Sequence, residues 1–361
     1  MTKIYLIRHA EAEGNLYRVA QGQYNSLITD RGKLQIAALE KRFEGVPIDA
    51  VYSSDLYRTC VTAGAVYIPR RLPLRRMAGL REICVGEWEQ KTWGEIARRW
   101  PEEMANFSTH LELWRIPGAE TPEQVRDRML SSLRDITAHN PGRTVAVFSH
   151  GCAIRILLAA VQGLSIAQTG ETPLGTNTAV SLLESTADGW RVIFRDDASH
   201  LPPELTRKKG GPRPLDPGLI FIPASAGEDR ELETFCGENN LPALRSAAGV
   251  PVLKGTLDGS LVGVLGLEEN REAEHRRGWI SLCFVTERLR KHGYGVQLLG
   301  QAVAHYRPLG RQTLRTAVSE GDDTGRRFCA ENGFYAAGER MPDGRIILEK
   351  DIAFHPLPEF S

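Results

Sequence analysis

Three short apolar runs each stop at residues equipped for chemistry. "KIYLI" ends in Arg8 and His9, "DAVY" gives way to Ser53, Ser54 and then Arg58, and "TVAVFS" is followed by His150 and Gly151. Two imidazoles and two guanidiniums gathered at one rim would form an anion site, because each group can donate to an oxyanion. A second group lies far along the chain. Arg290, Lys291, His292, Gly293, Tyr294 and Gly295 spell R-x-x-G-x-G between a strand pattern and a helix pattern. Such a turn leaves backbone N–H groups bare at the positive end of a helix, which suits a pyrophosphate, although a plain helix-entry turn has the same spelling.

Position is what would make the first group a site. "KIYLIRH", "DAVYSS" and "TVAVFSH" are nearly unbroken apolar runs, as expected of strands buried on both faces of a mainly parallel sheet. In open parallel sheets the carboxyl ends of the strands form the ligand crevice, so the polar residues following these runs converge there. Between the strands, Thr29 caps a predicted helix whose apolar stripe includes Leu34, Ala37 and Ala38. Thr121 caps another, running through Val125, Met129 and Leu133. "AVSLLES" and "GWRVIFRDD" read as strands joined by a turn around Asp188 and Gly189.

Beyond "LTRKKGGPRPLDPG", a Pro-, Gly- and base-rich stretch with no apolar period, a second α/β unit follows. Its predicted strands lie in "LIFIPA", "VPVLKGTLDGSLVGVLGLEE", "RGWISLCFVTE", "TLRTAVS" and "GRIILEKDI", with a hairpin across Asp258-Gly259. Helices are expected from about Gly293 to His305 and around Arg326 to Asn332. The expected domains are 1–204 and 218–361, with 205–217 as linker, and neither spacing nor motif repeats between them.

A chain of 361 residues exceeds one comfortable core, which agrees with two domains and leaves room for two functions. Basic and acidic residues number 45 each, so no net charge advertises a nucleic-acid or membrane partner. The six cysteines are scattered without a C-x-x-C pair or the ligand spacing of a zinc site, and the first apolar run is short. Reduced thiols, no metal and a cytoplasmic protein without signal peptide or membrane span are expected. The sequence is silent on oligomeric state.

"LIRHAEAEGN" resembles the signature of the histidine phosphatase superfamily, in its phosphoglycerate-mutase-like branch. The family's other segments recur in order: "SSDLYRTCVTA" with Arg58, "LREICVGEWE" with Glu82, "PGAETPEQVRDRM", and "FSHG" with His150. The resemblance covers residues 1 to about 205 and implies a three-layer α/β/α fold. It further implies that His9 is a nucleophile taking a phosphoryl group on a ring nitrogen, with Arg8, Arg58 and His150 holding the phosphoryl oxygens. Asn15 would reach back as a neutral donor, and Glu82 would protonate the leaving oxygen and then deprotonate water. Without the motif, Glu82 would be a surface carboxylate beside Arg81. Asn177 matches a turn that approaches the site in the family, though a turn-forming asparagine explains it equally. Glu11 and Glu13 receive no catalytic role. Trp88, Trp93, Trp100, Phe107 and Trp114 suit a lid or a core alike.

The second half resembles GNAT-type N-acetyltransferases, through the Arg290–Gly295 turn and "RRFCAENGFYAAGE". This implies a mixed α/β fold that binds acetyl-CoA, with the backbone of Phe284 and Val285 along the pantetheine arm and residues Arg290, Lys291, His292, Gly293, Tyr294 and Gly295 around the pyrophosphate. An amine would attack the thioester directly. Cys329 stands where the family usually has a tyrosine that protonates the departing thiolate, and thiol is a poorer donor. Tyr335 is near in sequence, and Glu268 or Glu269 could serve as base, although two solvated acids in a loop explain them as well.

Together these imply a phosphomonoesterase needing no cofactor, fused to an acetyl-CoA-dependent N-acetyltransferase, acting on a small phosphate ester and an amine. Short connections in the first half favour a phosphatase over a phosphoglycerate-type mutase. A CoA-binding regulatory second half is the other alternative.

Overall fold

The computed structural model describes residues 1–206, 218–224, 229–242 and 251–360. Strands β1 (Lys3–Arg8), β2 (Ala50–Ser53), β3 (Leu74–Arg76), β4 (Thr144–Ser149), β5 (Val180–Thr186) and β6 (Gly189–Asp197) form one sheet, in the order β3-β2-β4-β1-β5-β6. The first four are parallel, and β5 and β6 add an antiparallel edge. Alternation along the strands sorts side chains into two cores. Ile4, Leu6, Val145 and Val147 face one side with Val125, Met129 and Leu133 of the helix Pro122–His139. Ile7, Ala146 and Phe148 face the other, with Leu39 and Phe43 of the helix Asp30–Phe43 and Ala63 and Val66 of the helix Tyr57–Arg70. A period of two buried on both faces gives the three layers.

A second sheet is built from β7 (Ile220–Ala224), β8 (Val252–Leu257), β9 (Ser260–Glu268), β10 (Arg277–Val285), β11 (Thr313–Val318), β12 (Tyr335–Arg340) and β13 (Ile346–Asp351), ordered β12-β13-β11-β10-β9-β8-β7. The β8–β9 turn places Asp258 and Gly259 at φ 50° and 80°, as the sequence anticipates. Only β10 and β11 run parallel, and they pair from Arg277 to Ile280 before β10 continues to Val285 paired with β9 only. Their separation opens the sheet.

Three expectations change. The Asp30–Phe43 helix buries Gly32, Gln35, Leu39 and Phe43, while Leu34 is 60% exposed and Ala37 is also exposed. Gln35 sets that rotation: its side chain accepts from the Glu11 N–H at 2.8 Å and donates to the Leu205 carbonyl at 3.0 Å. Two edge strands, β3 and β12, lie outside the expected set, because their largely exposed residues carry no apolar alternation. Of the expected linker, Leu205 and Thr206 end the short helix Pro203–Thr206, and 207–217 lie outside the described residues.

The halves interlock. Tyr17, in the helix Glu13–Tyr17 just past the first motif, is buried in the core of the second half, and its ring lies against Gly300 of the helix Tyr294–Tyr306. Both carboxylate oxygens of Glu13 take the Arg307 guanidinium at 2.9 Å. After β13 the chain returns to the first half, where Phe354 packs edge-on against Tyr57 and the Tyr67 hydroxyl donates to the Pro358 carbonyl. No helix among the described residues is long and apolar enough to cross a membrane.

Candidate active site

The parallel strands bring the polar residues together as expected. His9 follows β1, and His150 follows the neighbouring β4, with ring centroids 5.2 Å apart. His9 Nδ1 lies 2.7 Å from the Ala10 carbonyl. A carbonyl only accepts, so Nδ1 carries the proton and Nε2 keeps its lone pair. Burial, and then Arg58 and Arg8, hold the His9 pKa well below 6.5, which keeps the ring neutral. His150 is depressed in the same way, first by burial and then by Arg58.

His150 Nε2 is 2.9 Å from Ser54 Oγ, which accepts the Leu56 N–H and so can direct its own proton to Nε2. That tautomer leaves the proton on His150 Nδ1, which has no partner. Two more buried nitrogens share this state: Arg8 Nε and Arg58 Nε. Elsewhere on the two guanidiniums, Arg8 Nη1 bonds the Gly175 carbonyl, and Arg58 Nη2 and Nη1 bond the Gly22 and Tyr24 carbonyls at 2.7 and 2.9 Å. Burial pulls the Arg58 pKa down to about 10, leaving it charged at neutral pH. Gly151 lets the backbone pass close beside this cradle, since a Cβ there would lie 3.0 Å from the Arg8 guanidinium carbon.

Glu82 is fixed across the site. Its Oε1 accepts from Ile83 and Ala153 N–H groups at 3.0 and 2.8 Å, and its Oε2 from Cys152 at 3.0 Å. The latter two donors are first-turn amides of the helix Gly151–Val161, which have no intrahelical acceptor. Asn177 Nδ2 donates to the His9 carbonyl at 3.0 Å and reaches Asn15 Oδ1 at 3.4 Å. Asn15 is exposed at the rim.

Glu11 and Glu13 prove structural. Glu11 bonds Thr29 and Arg31, and Glu13 binds Arg307. The tryptophans serve a core: Trp88 and Trp114 are buried, with Trp93, Trp100 and Phe107 packed around Trp88. Sequence reading missed Glu89, whose carboxylate accepts from the N–H groups of Gly22 and Gln23 at 2.7 and 3.0 Å. It also missed Arg128, which donates to the Glu82 carbonyl at 2.9 Å while pairing with Glu120. No local pattern marks either, because each acts across long sequence separations.

In the second half, Phe284 and Val285 end β10, and the turn leads into the helix Tyr294–Tyr306 with Gly293 at φ 84°. Gly295 and Val296 lie in the first turn of that helix, where backbone N–H groups have no intrahelical acceptor, so the backbone fits the pyrophosphate expected of a CoA loop. His292 is exposed and Tyr294 enters the core, and neither is among the residues lining the open space beside this turn. Cys329 is buried in the core, with burial pushing its thiol up to about 11. Glu268 and Glu269 pair with Arg271 and His305. A cleft of about 2440 Å3 is lined by Arg8, His9, Asn15 and Glu82 on one side and by Phe284, Val285, Arg290, Lys291, Gly293 and Gly295 on the other. Tyr335 lines it, whereas Cys329, Glu268 and Glu269 do not.

The histidine phosphatase superfamily (branch 1) matches residues 4–197, and the acetyltransferase (GNAT) family matches 222–334. A probable phosphoglycerate mutase GpmB from Proteus mirabilis is 30% identical over 217 residues, spanning 56% of this chain and 95% of that protein. Its counterpart from Cronobacter sakazakii is 29% identical over 209 residues, with 56% and 95% spanned. Among solved structures, Bacillus stearothermophilus YhfR aligns at 31% identity and TM-score 0.54, over 55% of this chain and 99% of that one. Mycobacterial glucosyl-3-phosphoglycerate phosphatase shares the fold at TM-score 0.51 and 22% identity, over 54% and 99%. The family model spans more than half of the residues, and the chain belongs to the histidine phosphatase superfamily, branch 1, with a region matching the acetyltransferase (GNAT) family in the same polypeptide.

Proposed function

We propose that the chain is a phosphomonoesterase working through a phosphohistidine at His9, joined to an acetyl-CoA-dependent N-acetyltransferase. One observation carries the first part: Arg8 Nε, Arg58 Nε and His150 Nδ1 are buried without partners around a ring whose Nε2 is unprotonated. Orphaned buried donors are costly unless a ligand completes them, and a phosphoryl group supplies acceptor oxygens. His9 Nε2 attacks phosphorus, the ester O–P bond breaks, and Glu82 protonates the leaving oxygen. Water deprotonated by Glu82 then cleaves the N–P bond and frees phosphate. Glu82 Oε2, with a single bond from Cys152, keeps a lone pair for that proton.

A mutase is the second reading, favoured by relatives that bear that name. Both readings share the phosphohistidine, and release of labelled inorganic phosphate rather than its retention in an isomeric ester identifies the phosphatase. With an aryl phosphate, His9→Ala is expected to abolish turnover. Glu82→Gln should slow poor leaving groups by roughly 10²-fold or more and good ones far less. Equal slowing of both would remove Glu82 from proton transfer.

For the second half, the carrying observation is the parting of β10 from β11, which leaves the Phe284–Val285 backbone edge open to a pantetheine arm. Acetyl-CoA, when bound, supplies an activated acyl carbon. The Lys291–Gly295 backbone would hold its pyrophosphate, and Tyr335, 54% exposed and lining the cleft that Cys329 does not line, would be the phenol that protonates the departing thiolate.

A further inference from the structure

Each site would need only a small mouth of its own, yet both open into one cleft of about 2440 Å3. Pockets for single small molecules span roughly 300–1,000 Å3. The excess is not a gap between loosely tethered bodies, because the wall shared by both sites is locked on each side. That wall is the helix Glu13–Tyr17. On the phosphatase side Asn177 links its Asn15 to the His9 carbonyl. On the acetyltransferase side Tyr17 packs on Gly300, and Glu13 clamps Arg307. Gly300 is five residues past Gly295, about 7.5 Å of helix rise from the CoA turn. The cleft walls mix signs, with Asp30, Glu331 and Asp351 alongside Lys33 and Lys350.

Resting on the function proposed above, we infer that the two sites share one substrate, a phosphate monoester that also carries a primary amine. A zwitterion of this class matches a cleft with charges of both signs and an anion cradle at one end. At His9 the ester O–P bond is exchanged for N–P, and water then releases inorganic phosphate. At the other end the amine nitrogen bonds the acyl carbon as the C–S bond breaks, and the proton shed by nitrogen ends on the thiol. One molecule loses its phosphate and gains an acetyl group.

The test uses the full chain and three probe pairs that differ only in amine against hydroxyl: O-phosphoserine and 3-phosphoglycerate, glucosamine 6-phosphate and glucose 6-phosphate, O-phosphoethanolamine and 2-hydroxyethyl phosphate. Phosphate release is measured first without acetyl-CoA. At least one amine member should exceed its hydroxyl partner in kcat/KM on the order of tenfold or more. With acetyl-CoA added, mass spectrometry should find that same compound both acetylated and dephosphorylated. If no amine member reaches that margin, or the favoured one is never acetylated, while an aryl phosphate is still hydrolysed, the shared-substrate proposal is overturned. Failure of the aryl phosphate itself would instead strike at the phosphatase reading beneath it.

Discussion

At the scale of residues, the proposed chemistry rests on imidazoles kept neutral by burial among cations. Folding His9 and His150 into sites that hold their pKa values below 6.5 has a consequence for stability. Above 6.5 both folded and unfolded chains carry neutral rings, so nothing is gained or lost. Below it the unfolded chain binds protons that the folded one refuses, and stability falls as pH drops. Each ring adds a slope of about 1.4 kcal/mol per pH unit in that window. Urea titrations between pH 6.5 and 5 should therefore show His150→Asn reducing the wild-type slope by about that amount, and an unchanged slope would mean the ring is protonated when folded. The same depression predicts an acid limb of kcat/KM for aryl phosphate lying below pH 6.5.

At the scale of elements, strand ends deliver the groups proposed to react, but loops aim them. Arg58 spends two donors on the carbonyls of Gly22 and Tyr24, and that loop is held by Glu89 through the N–H groups of Gly22 and Gln23. Glu89 is thus a positioning residue for the Arg58 Nε. Glu89→Gln keeps the shape but turns an anionic acceptor into a neutral one with a misplaced donor. Aryl phosphate kcat should fall about tenfold with a smaller change in KM, and Glu89→Asp should recover part of it. A uniform loss through KM alone would make Glu89 a structural support only. Strand ends were legible in sequence because buried parallel strands are written as unbroken apolar runs. The Glu89 relay was not, since it joins residues more than sixty positions apart.

At the scale of the whole molecule, two sheets are built as one body. The Glu13–Arg307 pair has side chains only 7% and 19% exposed, and Glu13 also accepts the Leu27 N–H. Removing one partner strands a largely buried charge. Arg307→Met should cost about 2–3 kcal/mol in urea unfolding, and adding Glu13→Gln to it should return part of that loss. Strictly additive effects would show that the pair does not couple the halves. Because Glu13 lies four residues past His9, the same variant reports whether the second half steadies the phosphoryl site.

The sequence by itself determined the two layered folds, the cradle of Arg8, His9, Arg58 and His150, the Glu82 position and the glycine turn. These are written locally, as apolar periods, strand-end polar residues and turn chemistry, so neighbours along the chain suffice to read them. Only the tertiary structure decided which way the Asp30–Phe43 helix turns, that Cys329 faces a core rather than the cleft, and that Glu13 is a clamp. Each depends on partners from distant segments, Leu205, the second core and Arg307, whose approach is set by packing. The common cleft has the same origin, since it exists only where one half's signature helix is buried against the other half's helix Tyr294–Tyr306.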